Sequence, residues 1–135
     1  MTRSLLLALS GAAIFATVIM AMDEKELTAK MKKVGEHQGA IRKLVQANTF
    51  GEVSGHAKML AEALEGTDKF WADRNDDMAV KWSKDGMAAA KDLAAAAEAG
   101  NADGVRSAMG KMGGSCKSCH DVHRERLPDG TYKLK

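Results

Sequence analysis

From Asp23 onward, apolar side chains recur at alternating steps of four and three, the spacing that turns one face of an α-helix toward a common core. The first stripe is Leu27, Met31, Val34, Gln38, Ile41 and Val45, and it predicts a helix from about Asp23 to Asn48. Thr49-Phe50-Gly51-Glu52 has the form of a capping box, with Thr49 as N-cap and Glu52 three residues on. A second helix is expected to follow to about Glu65, with Val53, Ala57, Leu60 and Leu64 inward, and Gly66 stops it. Residues 67–75 read as a connection that holds two aromatics, Phe70 and Trp71. The third predicted helix starts near Asn75 or Asp76, carries Met78, Trp82, Ala89, Leu93 and Ala96 on one stripe, and ends at Gly100. Asn101 caps the fourth, whose stripe is Val105, Met109, Met112, Cys116, Cys119 with His120, His123 and Leu127. Pro128-Asp129-Gly130 reads as a turn, and the last five residues are unassigned. Four helices joined by short loops predict an all-α fold, an antiparallel up-down-up-down four-helix bundle.

The N-terminus has a different composition. Residues 1–22 hold no acidic residue and one basic one, Arg3, and Leu5 to Met20 is apolar except at Ser10, Gly11 and Thr17. A basic start, an apolar middle and a small residue at the cut describe a secretory signal peptide, here residues 1–21 with cleavage after Ala21. Ile19 is larger than the position three before the cut prefers, and an uncleaved anchor is the alternative, although the run is a little short for a span of ~20 residues. The mature domain is then 22–135, exported to the periplasm. Cleavage takes one positive charge, Arg3, from a formal net charge of +2, a balance that gives no reason to expect nucleic acid or an anionic membrane as partner. The membrane is met only through the signal peptide. Large side chains are few in the mature chain: Phe50, Phe70, Trp71, Trp82 and Tyr132. Alanine and methionine do much of the apolar work, so the core looks underfilled unless something bulky sits in it.

The two cysteines, Cys116 and Cys119, are three apart. A disulfide between them would close a tiny loop and staple nothing distant. With His120 they form C-x-x-C-H, the attachment signature of c-type haem: two thiols add to the vinyl groups of a porphyrin, and the adjacent histidine binds iron. On a helix, Cys116 and His120 are one turn apart on the same face, and Cys119 is three from Cys116, so all three can reach one flat macrocycle. The alternatives are a thioredoxin-like pair, which wants alternating strands and helices; a zinc site, which lacks a fourth ligand here; and chance.

The run Cys116-Lys117-Ser118-Cys119-His120-Asp121-Val122-His123-Arg124 resembles the C-K-x-C-H-D-x-x-R run of the class II c-type cytochromes, the cytochrome c′ family. The resemblance extends over about Leu27 to Arg126. It implies a four-helix bundle with one covalent haem c near the C-terminus, Cys116 and Cys119 as thioethers and His120 as proximal iron ligand. One departure is the fifteen residues past His120, a longer tail than the family's.

In this family the sixth iron position faces the first helix. One branch has methionine there; the other has a non-ligand and leaves iron five-coordinate. Met31-Lys32-Lys33-Val34-Gly35, followed by Gly39, resembles the methionine branch, and Met31 falls on the inward stripe by period alone. Met31 as iron ligand, as a non-bonding distal wall, or displaced by another residue all remain open, because methionine is also an ordinary gap-filler. His37 lies about 240° round the helix from Met31 and His56 precedes the inward Ala57, so both are expected to face water. His123 lies along the side of His120 and either flanks the haem edge or is half-exposed. By resemblance, Arg124 lies beside the proximal histidine, where its charge discourages imidazolium; the alternative is a surface ion pair with Asp121 or Glu125. Trp71 and Trp82 are expected to pack in the core or at the haem edge.

The leading functional expectation is periplasmic electron transfer with His120 and Met31 as axial ligands. The rivals are a five-coordinate haem protein binding nitric oxide or carbon monoxide, and a non-haem metal-binding helical module. No nucleophile is paired with a base, so no enzyme activity is expected. Partners would be periplasmic redox proteins, and the resemblance adds a homodimer through the first two helices.

Overall fold

The computed structural model describes residues 21–135; the expected signal peptide, residues 1–21, lies outside the described residues except for Ala21. Five helices and a terminal hairpin follow one another: α1 (Glu24–Gln46), α2 (Val53–Leu64), α3 (Thr67–Ala72), α4 (Asp77–Glu98), α5 (Ala102–His123), β1 (Arg124–Arg126) and β2 (Tyr132–Leu134). The four longer helices make the expected bundle, with α1 packed on α2, α2 on α4 and α4 on α5.

Local chemistry sets the helix ends. Asp23 Oδ1 accepts from the Glu26 amide at 2.7 Å, and Glu24 and Glu26 put negative charge on the first turn of α1. Asn101 Oδ1 accepts from Gly104 N–H at 2.9 Å at the start of α5. A Cβ on Gly104 would stand 2.7 Å from Asn101 Nδ2, so glycine leaves room for the cap.

The capping box at Thr49 does not form. Thr49 belongs to the end of α1: its amide donates to Leu44 O at 2.8 Å, behind an Asn48 in the left-handed region at φ 55°, and α2 starts at Val53 without a side-chain cap. The connection at 67–75 is also partly helical. Gly66, at φ 80°, ends α2 and starts α3 at once, and the buried Thr67 hydroxyl donates back to Leu64 O at 2.7 Å.

The main core gathers Val34 and Ile41 of α1, Val53, Ala57 and Leu60 of α2, Ala90 and Leu93 of α4, and Val105 and Met112 of α5. On α4 the inward positions are Ala79, Gly86, Ala89, Ala90, Leu93 and Ala94. Met78, expected inward, is 54% exposed: Asp76 caps the helix through Ala79 N–H at 2.8 Å, and that start turns Ala79 to the core and its neighbour to solvent.

A second core cluster sits at the other end: Leu27, Phe70, Trp71 and Ala79, flanked by Met31, Trp82, Cys119 and Leu134. Phe70 is fully buried, with the Trp71 ring edge-on at 5.0 Å and Arg74 Cζ 3.6 Å above its face. Phe70→Ala should lower stability by about 3–5 kcal/mol, a large part of the ~5–15 kcal/mol of an ordinary domain. Denaturant unfolding of the haem-loaded protein measures it; a loss under about 1 kcal/mol would mean that this end of the core is soft.

The fourth expected helix reaches His123 and not Leu127. Arg124 is already extended, and β1 pairs antiparallel with β2 in the register Arg124 with Leu134, Glu125 with Lys133 and Arg126 with Tyr132. The turn between them is the expected one: Gly130, at φ 85°, donates to Leu127 O at 3.0 Å, and Asp129 Oδ1 accepts from Thr131 N–H at 2.9 Å.

Candidate haem site

Between α1 and α5 the bundle opens into a cavity of about 500 Å³, in the size range of cofactor pockets. Its apolar lining comes from Leu27, Met31 and Val34 of α1, Leu64 of α2, Trp71 of α3 and Trp82 of α4. α5 contributes Cys116, Cys119, His120 and His123, the face expected from their spacing. Met31 and His120 therefore line one cavity from the two helices that flank it.

The thiols are free and half-buried. Burial pushes the Cys116 thiol up, and burial with the charges of Cys116 and Asp76 pushes Cys119 up to about 11. Both are neutral S–H groups at physiological pH. In protein prepared without haem, iodoacetamide should alkylate Cys119 at pH 8 about tenfold more slowly than a free cysteine. Roughly a hundredfold loss of thiolate is offset about tenfold by the greater nucleophilicity of a more basic thiolate. Equal rates, read by mass spectrometry, would contradict that burial.

Burial, then the nearby Arg124 charge, lowers the His120 pKa, with Asp121 opposing. The imidazole is thus kept neutral, as a metal ligand must be. His123 borders the same cavity. Its ring lies tilted against Trp71 with the centroids 4.2 Å apart, and its Nε2 lies 3.1 Å from Asp76 Oδ2 without hydrogen-bond alignment. Arg124 lines the cavity with no carboxylate in ion-pair range among the described residues; Asp121 pairs with Lys117 and Glu125 with Lys133.

His37 and His56 lie away from the cavity, but they do not simply face water. They are half-buried between α1 and α2 with their Nδ1 atoms 3.0 Å apart, a pairing that no single-helix periodicity reveals. The sequence reading also missed Thr131 to Leu134, which form part of the cavity wall; the Pro-Asp-Gly turn was their only signal.

Among the described residues, no three His, Cys, Asp or Glu side chains converge as a metal cluster. Cys116, Cys119 and His120 are instead spread along one helical face beside an apolar cavity, which suits a flat porphyrin joined at its edge and ligated at its centre. A comparison with protein families matches residues 8–124 to Cytochrome C′. The chain belongs to the cytochrome c′ family. A curated relative, cytochrome c′ of Pararhodospirillum photometricum, is 30% identical over 112 residues, covering 70% of this chain and 90% of that protein. Cytochrome c′ of Alcaligenes xylosoxydans xylosoxydans is 53% identical over 34 residues, 25% of this chain and 27% of that protein. No solved structure matches. As a member of the cytochrome c′ family, the protein carries covalent haem c, and the cavity has the size and lining for it.

Proposed function

We propose that this cytochrome c′ family member is a periplasmic one-electron carrier, with Cys116 and Cys119 as the haem thioethers, His120 as proximal ligand and Met31 as sixth ligand. The observation that carries the reading is the shared cavity, lined by Met31 from α1 and His120 from α5. The bound haem supplies a one-electron couple at its iron. The chain's part is to hold and insulate that iron. His120 is offered neutral, Met31 brings a soft thioether that raises the potential relative to a second histidine, and Leu27, Trp71 and Trp82 exclude water. Ligands fixed by packing on both sides keep rearrangement small when an electron moves. Residues 1–21 would direct export, and the electron partner would be another periplasmic redox protein.

The optical spectrum tests this. The expected ferric spectrum is low-spin with the weak methionine-to-iron band. A high-spin ferric spectrum would overturn the six-coordinate reading and leave a five-coordinate haem open to nitric oxide or carbon monoxide.

A further inference from the structure

The family match ends at residue 124, where the hairpin begins. The segment beyond it is not a loose tail. Lys135 N–H donates to His123 O at 2.9 Å, and Lys135 Nζ donates to Asp121 O at 3.2 Å, so the chain end is tied to the last turn of α5. Leu134 packs into the Leu27, Phe70 and Trp71 cluster. Cross-strand pairing puts Arg124 and Arg126 on the same face of the hairpin as Tyr132 and Leu134, and of these Arg124, Tyr132 and Leu134 line the cavity, at whose rim Lys133 also lies. On the other face, Lys133 Nζ closes an ion pair with Glu125 Oε2 at 3.1 Å.

Tyr132 sits diagonally across the ladder from Arg124, and Arg124 Cζ lies 4.1 Å from the centre of its ring. An exposed arginine ordinarily wanders through many rotamers; a ring against its flat face restricts it and leaves its in-plane N–H groups free. Those donors have no acidic partner among the described residues. The other charged groups of the cavity wall are Glu24, Lys32 and Lys133, and Glu24 has Arg74 at 4.0 Å. A porphyrin in this cavity brings two carboxylates, and a guanidinium fork is the side chain best shaped to receive one.

We propose that the hairpin is the closing wall of the haem cavity, and that Tyr132 positions Arg124 to bind a haem carboxylate. The proposal rests on reading the cavity as the haem site. Tyr132 acts through Arg124 and is a positioning residue; Arg124 is the binding residue. Holding this cation beside the haem disfavours the ferric state, and covering the haem edge works in the same direction.

The test uses full-length, haem-loaded protein carrying Arg124→Gln, Tyr132→Ala, Tyr132→Phe or the Arg124→Gln/Tyr132→Ala pair. Resonance Raman scattering reads the bending mode of the haem carboxylates, and spectroelectrochemistry reads the midpoint potential. Arg124→Gln should shift the carboxylate mode and lower the potential by about three- to tenfold in the redox equilibrium constant, at roughly 59 mV per tenfold for one electron. Tyr132→Ala should move both readouts the same way by a smaller amount, and Tyr132→Phe, which keeps the ring, should leave both at the wild-type value. In the double variant the Tyr132 effect should vanish, since there is no longer a cation to position. An unshifted carboxylate mode in Arg124→Gln, or a Tyr132 effect that persists undiminished without Arg124, would overturn the proposal. Wild-type protein without covalent haem would instead defeat the haem-site reading itself, so the two failures are distinguishable. Both side chains are on the surface, and circular dichroism checks that each variant folds.

Discussion

Replacing Cys116 and Cys119 together with alanine should release all of the haem into the organic layer on acid–acetone extraction, whereas the wild-type protein keeps it. The thiols are half-buried on the face of α5 that borders the cavity, and nothing else there can form a carbon–sulfur bond to a vinyl group. Haem bound to the double variant would be held only by coordination and burial. Its contribution to stability then becomes a binding equilibrium that depends on free haem, about 4 kcal/mol at a thousandfold excess over Kd and falling on dilution. Thermal unfolding at two haem concentrations should separate the proteins: the midpoint of the double variant moves and that of the wild type does not. A single substitution should keep the haem attached through the remaining thioether. Retention of haem by the double variant through extraction would rule out this motif as the attachment site.

Met31→Ala should convert a low-spin ferric spectrum to high-spin and abolish the methionine-to-iron band. The potential should fall by an amount on the order of a tenth of a volt, within the ~0.8 V range that axial ligands span. Met31 also touches both core clusters, so the alanine variant loses packing as well as sulfur. Met31→Leu separates the two effects. It keeps the volume at a cost under about 1.5 kcal/mol and removes only the donor atom. If Met31 is a ligand, both variants become high-spin; if it is only a wall, the leucine variant keeps the wild-type spectrum and a similar potential. The space left in the alanine variant should also speed carbon monoxide binding, measured by flash photolysis.

Periodicity carried the fold wherever an element was long enough to repeat it. Leu27, Val34 and Ile41, or Val53, Ala57 and Leu60, were placed inward by spacing and are buried. Met78 failed on a long helix, because the Asp76 cap sets where α4 starts; the other failures were mostly elements too short to show a period. α3 has only six residues, and its adjacent Phe70 and Trp71 are buried together because they wedge between helices, a fact of tertiary packing. The strands have three residues each, mostly charged, so no alternation marks them. At Thr49 two helix ends compete for one side chain, and the C-terminus of α1 takes it.

The site was more legible than the fold's details. Cys116, Cys119 and His120 are contiguous, and one helical turn brings them to one face. Met31 and Arg124 could be placed near them only through the family resemblance, and both line the same cavity. The His37–His56 contact and the Tyr132–Arg124 stack depend on how separate elements register in space, which a single sequence does not express.

The cavity lies between the first and last helices of the bundle, and α1 reaches the other long helices chiefly by way of α2. A group that links α5 to α1 therefore closes a loop that takes in most of the described chain. Such a closure is entropically slow to find but strongly constraining once made. A haem held by both His120 and Met31 would also fasten the N-terminal helix, which brings Val34 and Ile41 to the main core, to the last helix of the bundle.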